Sequence, residues 1–155
     1  MPRLEVFENK KLVLKNILRR ELKNIQLEML DEEVNKFDFL LNKLAVQKFG
    51  PLVMKSSGIK INDDSVVTMD YDLLIQAHNY QEFKSAFEPI DQLEIANCIY
   101  VHFEGNPEDI QFAHSKLDLY FYENDVVQSG DTYSVVIEDS SHHAIVDIFR
   151  PVINL

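Results

Sequence analysis

The sequence is poor in the residues that usually announce a chemistry. It has one cysteine, no tryptophan, four glycines and five prolines in 155 residues. A single thiol, Cys98, excludes an internal disulfide and any cysteine-built structural zinc site. Four glycines cannot make a phosphate-cradling loop, and no G-x-S-x-G elbow is present. No apolar run approaches the ~18 residues that a bilayer-spanning helix needs. The start, MPRLEVFENKKLVLKN, carries no small-residue cleavage site after an apolar stretch. The expectation is therefore a cytoplasmic protein without a secretory signal. His78, His102 and His114 lie on separate elements, and His142 and His143 are neighbours whose side chains diverge. None has the HxxxH or HExxH spacing, so no metal and no cofactor is expected.

Positive charge is scarce beyond the first third. Residues 1–50 hold ten Lys/Arg and eight Asp/Glu, whereas residues 51–155 hold five and eighteen, for an overall charge of −11. An acidic body repels phosphate backbones and anionic lipid, so neither nucleic acid nor membrane is expected as a direct partner. The basic stretch around Lys10, Lys11, Lys15, Arg19, Arg20 and Lys23 is interleaved with Glu5, Glu8, Glu21 and Glu28, and no helix-turn-helix precedes it. Such charge serves solubility, or marks a place where carboxylates converge on a cation.

What is present is strong periodicity. Leu30, Val34, Phe37, Leu41 and Leu44 make one helical stripe, with Asp31, Glu32 and Glu33 at its start and Gly50-Pro51 at its end. The spacing predicts a helix from about Leu30 to Phe49. A second helix is predicted after Asn106-Pro107-Glu108-Asp109, an N-cap followed by proline and two acids, with a stripe at Ile110, Ala113, Leu117 and Tyr120 or Phe121. Alternating or apolar segments predict strands at Leu12–Arg20, Leu52–Lys55, Ser65–Ile75, Asn97–Phe103, Tyr133–Glu138 and Ala144–Val152. Residues 76–95 have no clear period and read as a connector, since Glu88-Pro89 discourages helix.

The order repeats with a period near 80 residues. The expectation is one α+β domain over residues 1–155 built as a tandem βαββ repeat. Repeat one covers about 11–76, a connector about 77–95, and repeat two about 96–155. Pairing the two units would give one antiparallel sheet with both helices on one face and an open concave groove on the other.

The run Ile99-Tyr100-Val101-His102-Phe103-Glu104-Gly105, the turn Gly130-Asp131-Thr132-Tyr133 and the closing Val146-Asp147-Ile148-Phe149-Arg150-Pro151-Val152 carry a resemblance. Together they resemble the GyrI-like (gyrase-inhibitor-like) superfamily, the effector-binding fold attached to many MerR- and AraC-type multidrug regulators. The resemblance implies a small-molecule groove in which an acid of the last strand faces cationic drugs. Asp147 stands where that family has Glu, and Phe149 where Tyr is commoner. The chain is also similar, more weakly, to small uncharacterised proteins encoded near type VII secretion genes in Gram-positive bacteria.

On the residues themselves, Asp70 and Asp72 are two apart on one strand and share a face. Asp147 and Phe149 hold the matching place in the second repeat, and Tyr100 and His102 share the polar face of their own strand. Carboxylates beside aromatic rings suit a cationic or aromatic organic ligand through Coulomb and cation–π attraction. The same alternation also describes the solvated side of a half-exposed sheet. The expected ligand-binding residues are Asp70, Asp72, Tyr100, His102, Asp147 and Phe149, with no catalytic residue. Cys98 reads as a small buried hydrophobe, and His114 as part of the polar face of its helix. The function expected is a stand-alone, non-catalytic binding or sensing module. The alternatives are a protein–protein interaction factor of a secretion or toxin locus, in which an acidic surface steers a basic partner, and, as the GyrI-like resemblance implies, a small-molecule hydrolase using Glu104 or Glu138.

Overall fold

The apolar stripe from Leu30 to Leu44 is a helix face, but the helix begins and ends earlier than its flanking signals suggest. In a computed structural model, which describes residues 4–153, α1 runs Leu27–Lys43. Only Glu28 lies in its first turn, so Asp31, Glu32 and Glu33 sit a turn too late to meet the helix dipole best. The chain leaves the helix at Ala45, which takes a left-handed φ of 57°. The amides of Ala45 and Val46 then donate back to the carbonyls of Asn42 and Leu41. Gly50 and Pro51 do not end the helix. They lie inside the strand β2 (Lys48–Ser56), where Gly50 has φ 77° and the pairing register slips between Phe49 and Val53. The glycine makes a β-bulge rather than a helix cap.

The remaining elements are β1 (Val6–Ile25), a two-residue β3 (Lys60–Ile61), β4 (Val67–Ala77), β5 (Glu88–Gly105), α2 (Ile110–Glu123), β6 (Thr132–Asp139) and β7 (Ala144–Pro151). Single 3-10 turns occupy Tyr80–Phe83 and Pro107–Asp109. The architecture is α+β, with antiparallel strand pairs and two helices. Two expectations need correction. The first strand is 20 residues long rather than nine. The supposed connector contains a helical turn and the start of β5, with Pro89 as the second residue of that strand. The residue before a proline is driven towards extended backbone, so Glu88-Pro89 excludes helix but favours strand.

The chain divides into a central unit, Leu14–Gln92, and a flanking unit, Met1–Val13 with Leu93–Leu155. In the central unit the last part of β1 and all of β2 lie on either side of β4. Leu18, Leu22, Met54, Met69, Tyr71, Leu73 and Ile75 turn to one face and pack with Phe37 and Leu41 of α1. The alternation predicted for Met69, Tyr71, Leu73 and Ile75 holds, whereas Val67 at the strand's start is exposed. The other face is not bare. Ile17, Val53 and Leu74 lie on it with almost no exposure. In the flanking unit β7 lies between β5 and β6. Ile99, Val101, Phe103, Val146 and Ile148 pack with Ala113 and Leu117 of α2, and Ile110, Tyr120 and Phe121 extend that cluster.

Asparagine shapes the longest strands. Asn9, Asn16 and Asn24 of β1 and Asn97 of β5 all have φ between 54° and 57°, a region that Asn tolerates better than most residues. At Asn24 the register against β4 slips between Leu22 and Ile25, and the freed amide donates to Asp70 Oδ1 at 2.9 Å. Beside Asn16, the amide of Lys15 donates to Gln76 Oε1 at 2.9 Å. Side chains of β4 thus satisfy donors that the ladder no longer pairs.

The start of the second helix matches its sequence signal. Asn106 Oδ1 accepts from the Glu108 amide at 3.0 Å, and Pro107 opens the turn that leads into α2. Asn106→Ala is expected to lower stability by about 0.5–2 kcal/mol, read as a shift of the urea midpoint at unchanged slope. An unshifted midpoint would count against the cap.

Candidate ligand-binding site

The site is built by register in the flanking unit. With Ile99, Val101, Val146 and Ile148 held against α2, the intervening residues of β5 and β7 must face the other way. Along that face Cys98 pairs with Pro151, Tyr100 with Phe149, His102 with Asp147, and Glu104 with Ile145. Across β7, Tyr133 of β6 pairs with Phe149 and Val135 with Asp147. The result is a row of three aromatic residues, Tyr100, Phe149 and Tyr133, lying directly beside a row formed by His102, Asp147 and Val135.

The rows grade from buried to open. Cys98, Pro151 and Tyr133 are buried, Tyr100, Phe149 and Asp147 are half-buried, and His102 is exposed. The Tyr100 hydroxyl donates to Asp147 Oδ1 at 2.7 Å, and His102 Nδ1 lies 2.5 Å from the same oxygen. A carboxylate only accepts, so the imidazole proton belongs on Nδ1. Both partners use the same carboxylate oxygen, Oδ1. The ring of Phe149 is 4.9 Å from that of Tyr100, and Phe7 of β1 is 6.0 Å from Tyr100 on another side. The ammonium of Lys10 stands 5.5 Å from the Phe7 ring centre, a cation–π distance.

Two effects keep the Tyr100 phenol protonated. Burial raises its pKa well above the usual tyrosine value, and the neighbouring Asp147 carboxylate raises it further. The hydroxyl therefore remains a donor that holds Asp147 in place. At the closed end of the face, burial pushes the Cys98 thiol up to about 11. Its Sγ lies near the carbonyls of Ile95 and Ala96. That environment suits the small buried hydrophobe read from the sequence and not a nucleophile.

Four of the six expected residues, Tyr100, His102, Asp147 and Phe149, thus come together in one unit. Asp70 and Asp72 form a separate group in the central unit, where each is engaged by cations. Asp72 is buried, with Arg19 Nε at 2.9 Å and Lys55 Nζ at 3.9 Å. Arg19 also meets Glu21 and Glu88. Asp70 Oδ1 accepts from Lys60 Nζ at 2.8 Å as well as from the Asn24 amide. These two bonds, that from Lys60 first, hold its pKa below the ordinary carboxylate value. The stabilisation is present at neutral pH and is lost as pH falls through the carboxylate range.

Phe7 and Tyr133 escaped sequence reasoning. Tyr133 shares the strand alternation that placed Phe149 and could have been found that way. Phe7 lies before the expected start of the first strand, so no alternation pointed to it.

The histidines elsewhere have local roles. His143 Nδ1 meets Glu138, and the His143 amide donates to the Ser140 hydroxyl within the β6–β7 turn. His114 does not lie on the polar face of α2. It is partly buried, and burial together with the nearby Arg150 guanidinium lowers its pKa. Among the described residues no three His, Cys, Asp or Glu side chains converge as metal ligands, and no helix is long and apolar enough to cross a membrane.

No protein-family model matches the chain, and no curated protein matches it in sequence. Solved structures do match. The crystal structure of the EcmrR C-terminal domain is similar with a TM-score of 0.65 at 10% identity, over 99% of this chain and 98% of that one. EcmrR in a cryo-EM complex with DNA is similar at 0.65 and 12% identity, and there this chain spans 58% of the EcmrR chain. A hydrolase from Listeria innocua is similar at 0.53 and 10% identity, over 97% of this chain and 91% of that one. At such identities the likeness is one of fold, and the fold is GyrI-like, as the sequence motifs implied.

Two outcomes are expected from these environments. Asp72→Asn is expected to lower stability by about 1–3 kcal/mol, because it weakens a largely buried charge-assisted bond to Arg19; thermal or urea unfolding equal to wild type would overturn that role. Iodoacetamide at about pH 8 is expected to label Cys98 at least tenfold more slowly in the folded protein than in urea, since the thiolate is the reactive form. Equal rates would show the thiol to be accessible.

Proposed function

We propose that the chain is a non-catalytic small-molecule-binding or sensing module, and that it takes an organic cation with an aromatic body on the face formed by Phe7, Tyr100, Asp147 and Phe149. The observation that carries this reading is the half-buried Asp147 carboxylate, fixed through one oxygen by Tyr100 and flanked by aromatic rings at 4.9 and 6.0 Å from the Tyr100 ring. A positioned carboxylate supplies Coulomb attraction that strengthens as water is displaced, and the rings supply apolar area and cation–π attraction. Lys10 over Phe7 is an intramolecular instance of the same attraction.

The charge distribution supports the choice. Residues 1–13 and 93–155, the flanking unit, hold thirteen Asp/Glu against five Lys/Arg. Such an excess raises the local concentration of cations and speeds their arrival. Asp70 and Asp72 have no part in this reading, because Lys60, Lys55 and Arg19 already neutralise them. The two β–α–β–β orders we take as copies of one motif, of which the second carries the site.

Asp147→Asn is expected to weaken binding of an aromatic cation such as rhodamine 6G by about ten- to hundredfold, the equivalent of roughly 1–3 kcal/mol. Binding of an uncharged aromatic of similar size should change much less. Calorimetric titration of both proteins with both compounds measures this, with circular dichroism to show that the fold is kept. Equal affinities for the cation would overturn the reading.

A further inference from the structure

Asp147 does not face its ligand alone. His102 is its cross-strand partner, with Nδ1 2.5 Å from Oδ1, and the imidazole is exposed where the carboxylate is half-buried. Imidazole is the side chain that changes charge between about pH 5 and 8. We propose that His102 gates the site by protonation, so that a cationic ligand is held when the imidazole is neutral and released when it is charged. The proposal rests on the reading that Asp147 meets the ligand's charge.

The argument is one of charge and position. With neutral His102 the pair carries one net negative charge, which is what a cation meets at Asp147. A proton on His102 brings the pair to zero without moving either side chain, because Nδ1 donates to Oδ1 in both states. An arriving cation then meets a second positive charge within the same ladder row. A unit charge about 7 Å away, at a permittivity between those of water and the protein interior, changes affinity by roughly tenfold or more. The other groups around the pair do not reverse this sign. On β5 these are Tyr100, kept protonated, and the carboxylate of Glu104. On β7 and β6 they are Ile145, Val135 and Glu138, which pairs with Ile145 and meets His143. On β1, Phe7 is flanked along the chain by Glu5 and Lys10, which carry opposite charges.

Rhodamine 6G, whose own charge is constant over this range, is the probe. Its fluorescence polarisation is titrated at about pH 8 and about pH 5.5 with wild type, His102→Gln, His143→Gln and Asp147→Asn. Affinity of the wild type is expected to fall about tenfold on acidification. His102→Gln is expected to change by less than about twofold, His143→Gln to keep the full fall, and Asp147→Asn to bind weakly at both values. A wild-type affinity that does not change with pH, or an undiminished fall in His102→Gln, overturns the gate and leaves cation binding standing. No binding of the dye by the wild type or by His102→Gln at either pH overturns both.

Discussion

The packing of α2 on one side of β5 and β7 is the constraint on which the candidate site depends. Ala113 and Leu117 pack against Ile99, Val101, Phe103, Val146 and Ile148. A strand has only two faces, so fixing these residues inward fixes Tyr100, His102, Asp147 and Phe149 outward. A slip of one residue would drive Asp147 into the apolar cluster and expose Ile148. The site's geometry is therefore guarded by the desolvation cost of a carboxylate as much as by its own hydrogen bonds.

One departure from strict segregation shows how that constraint is met. Arg150, two residues after Ile148, lies on the helix side and is almost wholly buried. Its guanidinium reaches Asp118 of α2 and stacks over the Phe121 ring at 5.7 Å. An arginine can lie along an apolar surface while its head finds an anion and a ring face. Among the described residues its Nε has no hydrogen-bond partner. Arg150 thus marks the edge of the helix-covered zone, where the chain turns towards Pro151 and the closed end of the aromatic row.

The two halves of the fold differed in how much their sequences disclosed. The second half was legible because its signals coincide: a capped helix start at Asn106, a clean two-residue alternation in β5 and β7, and a polar turn between β6 and β7. The first half was less so. Gly50-Pro51 carries the signature of a helix end, yet the helix closes through Ala45, a residue with no such signature. Asp70 and Asp72 share a face as the alternation requires, but nothing in the local sequence reveals that Arg19, 53 residues before Asp72, pairs with it. Long-range partners decide whether an acid is free to meet a ligand, and a period of two says only which way it points.

The left-handed asparagines of β1 bear on something other than binding. A regular strand of 20 residues would be a long template for intermolecular pairing, especially in a chain whose apolar segments are exposed during synthesis. Asn9, Asn16 and Asn24 interrupt it every seven or eight residues. Each interruption rotates the pattern of donors and acceptors, so no uninterrupted stretch of β1 offers more than about a typical strand's length. The bulges that the protein stabilises through Asp70 and Gln76 in its folded state therefore also act as breaks against fibrillar stacking.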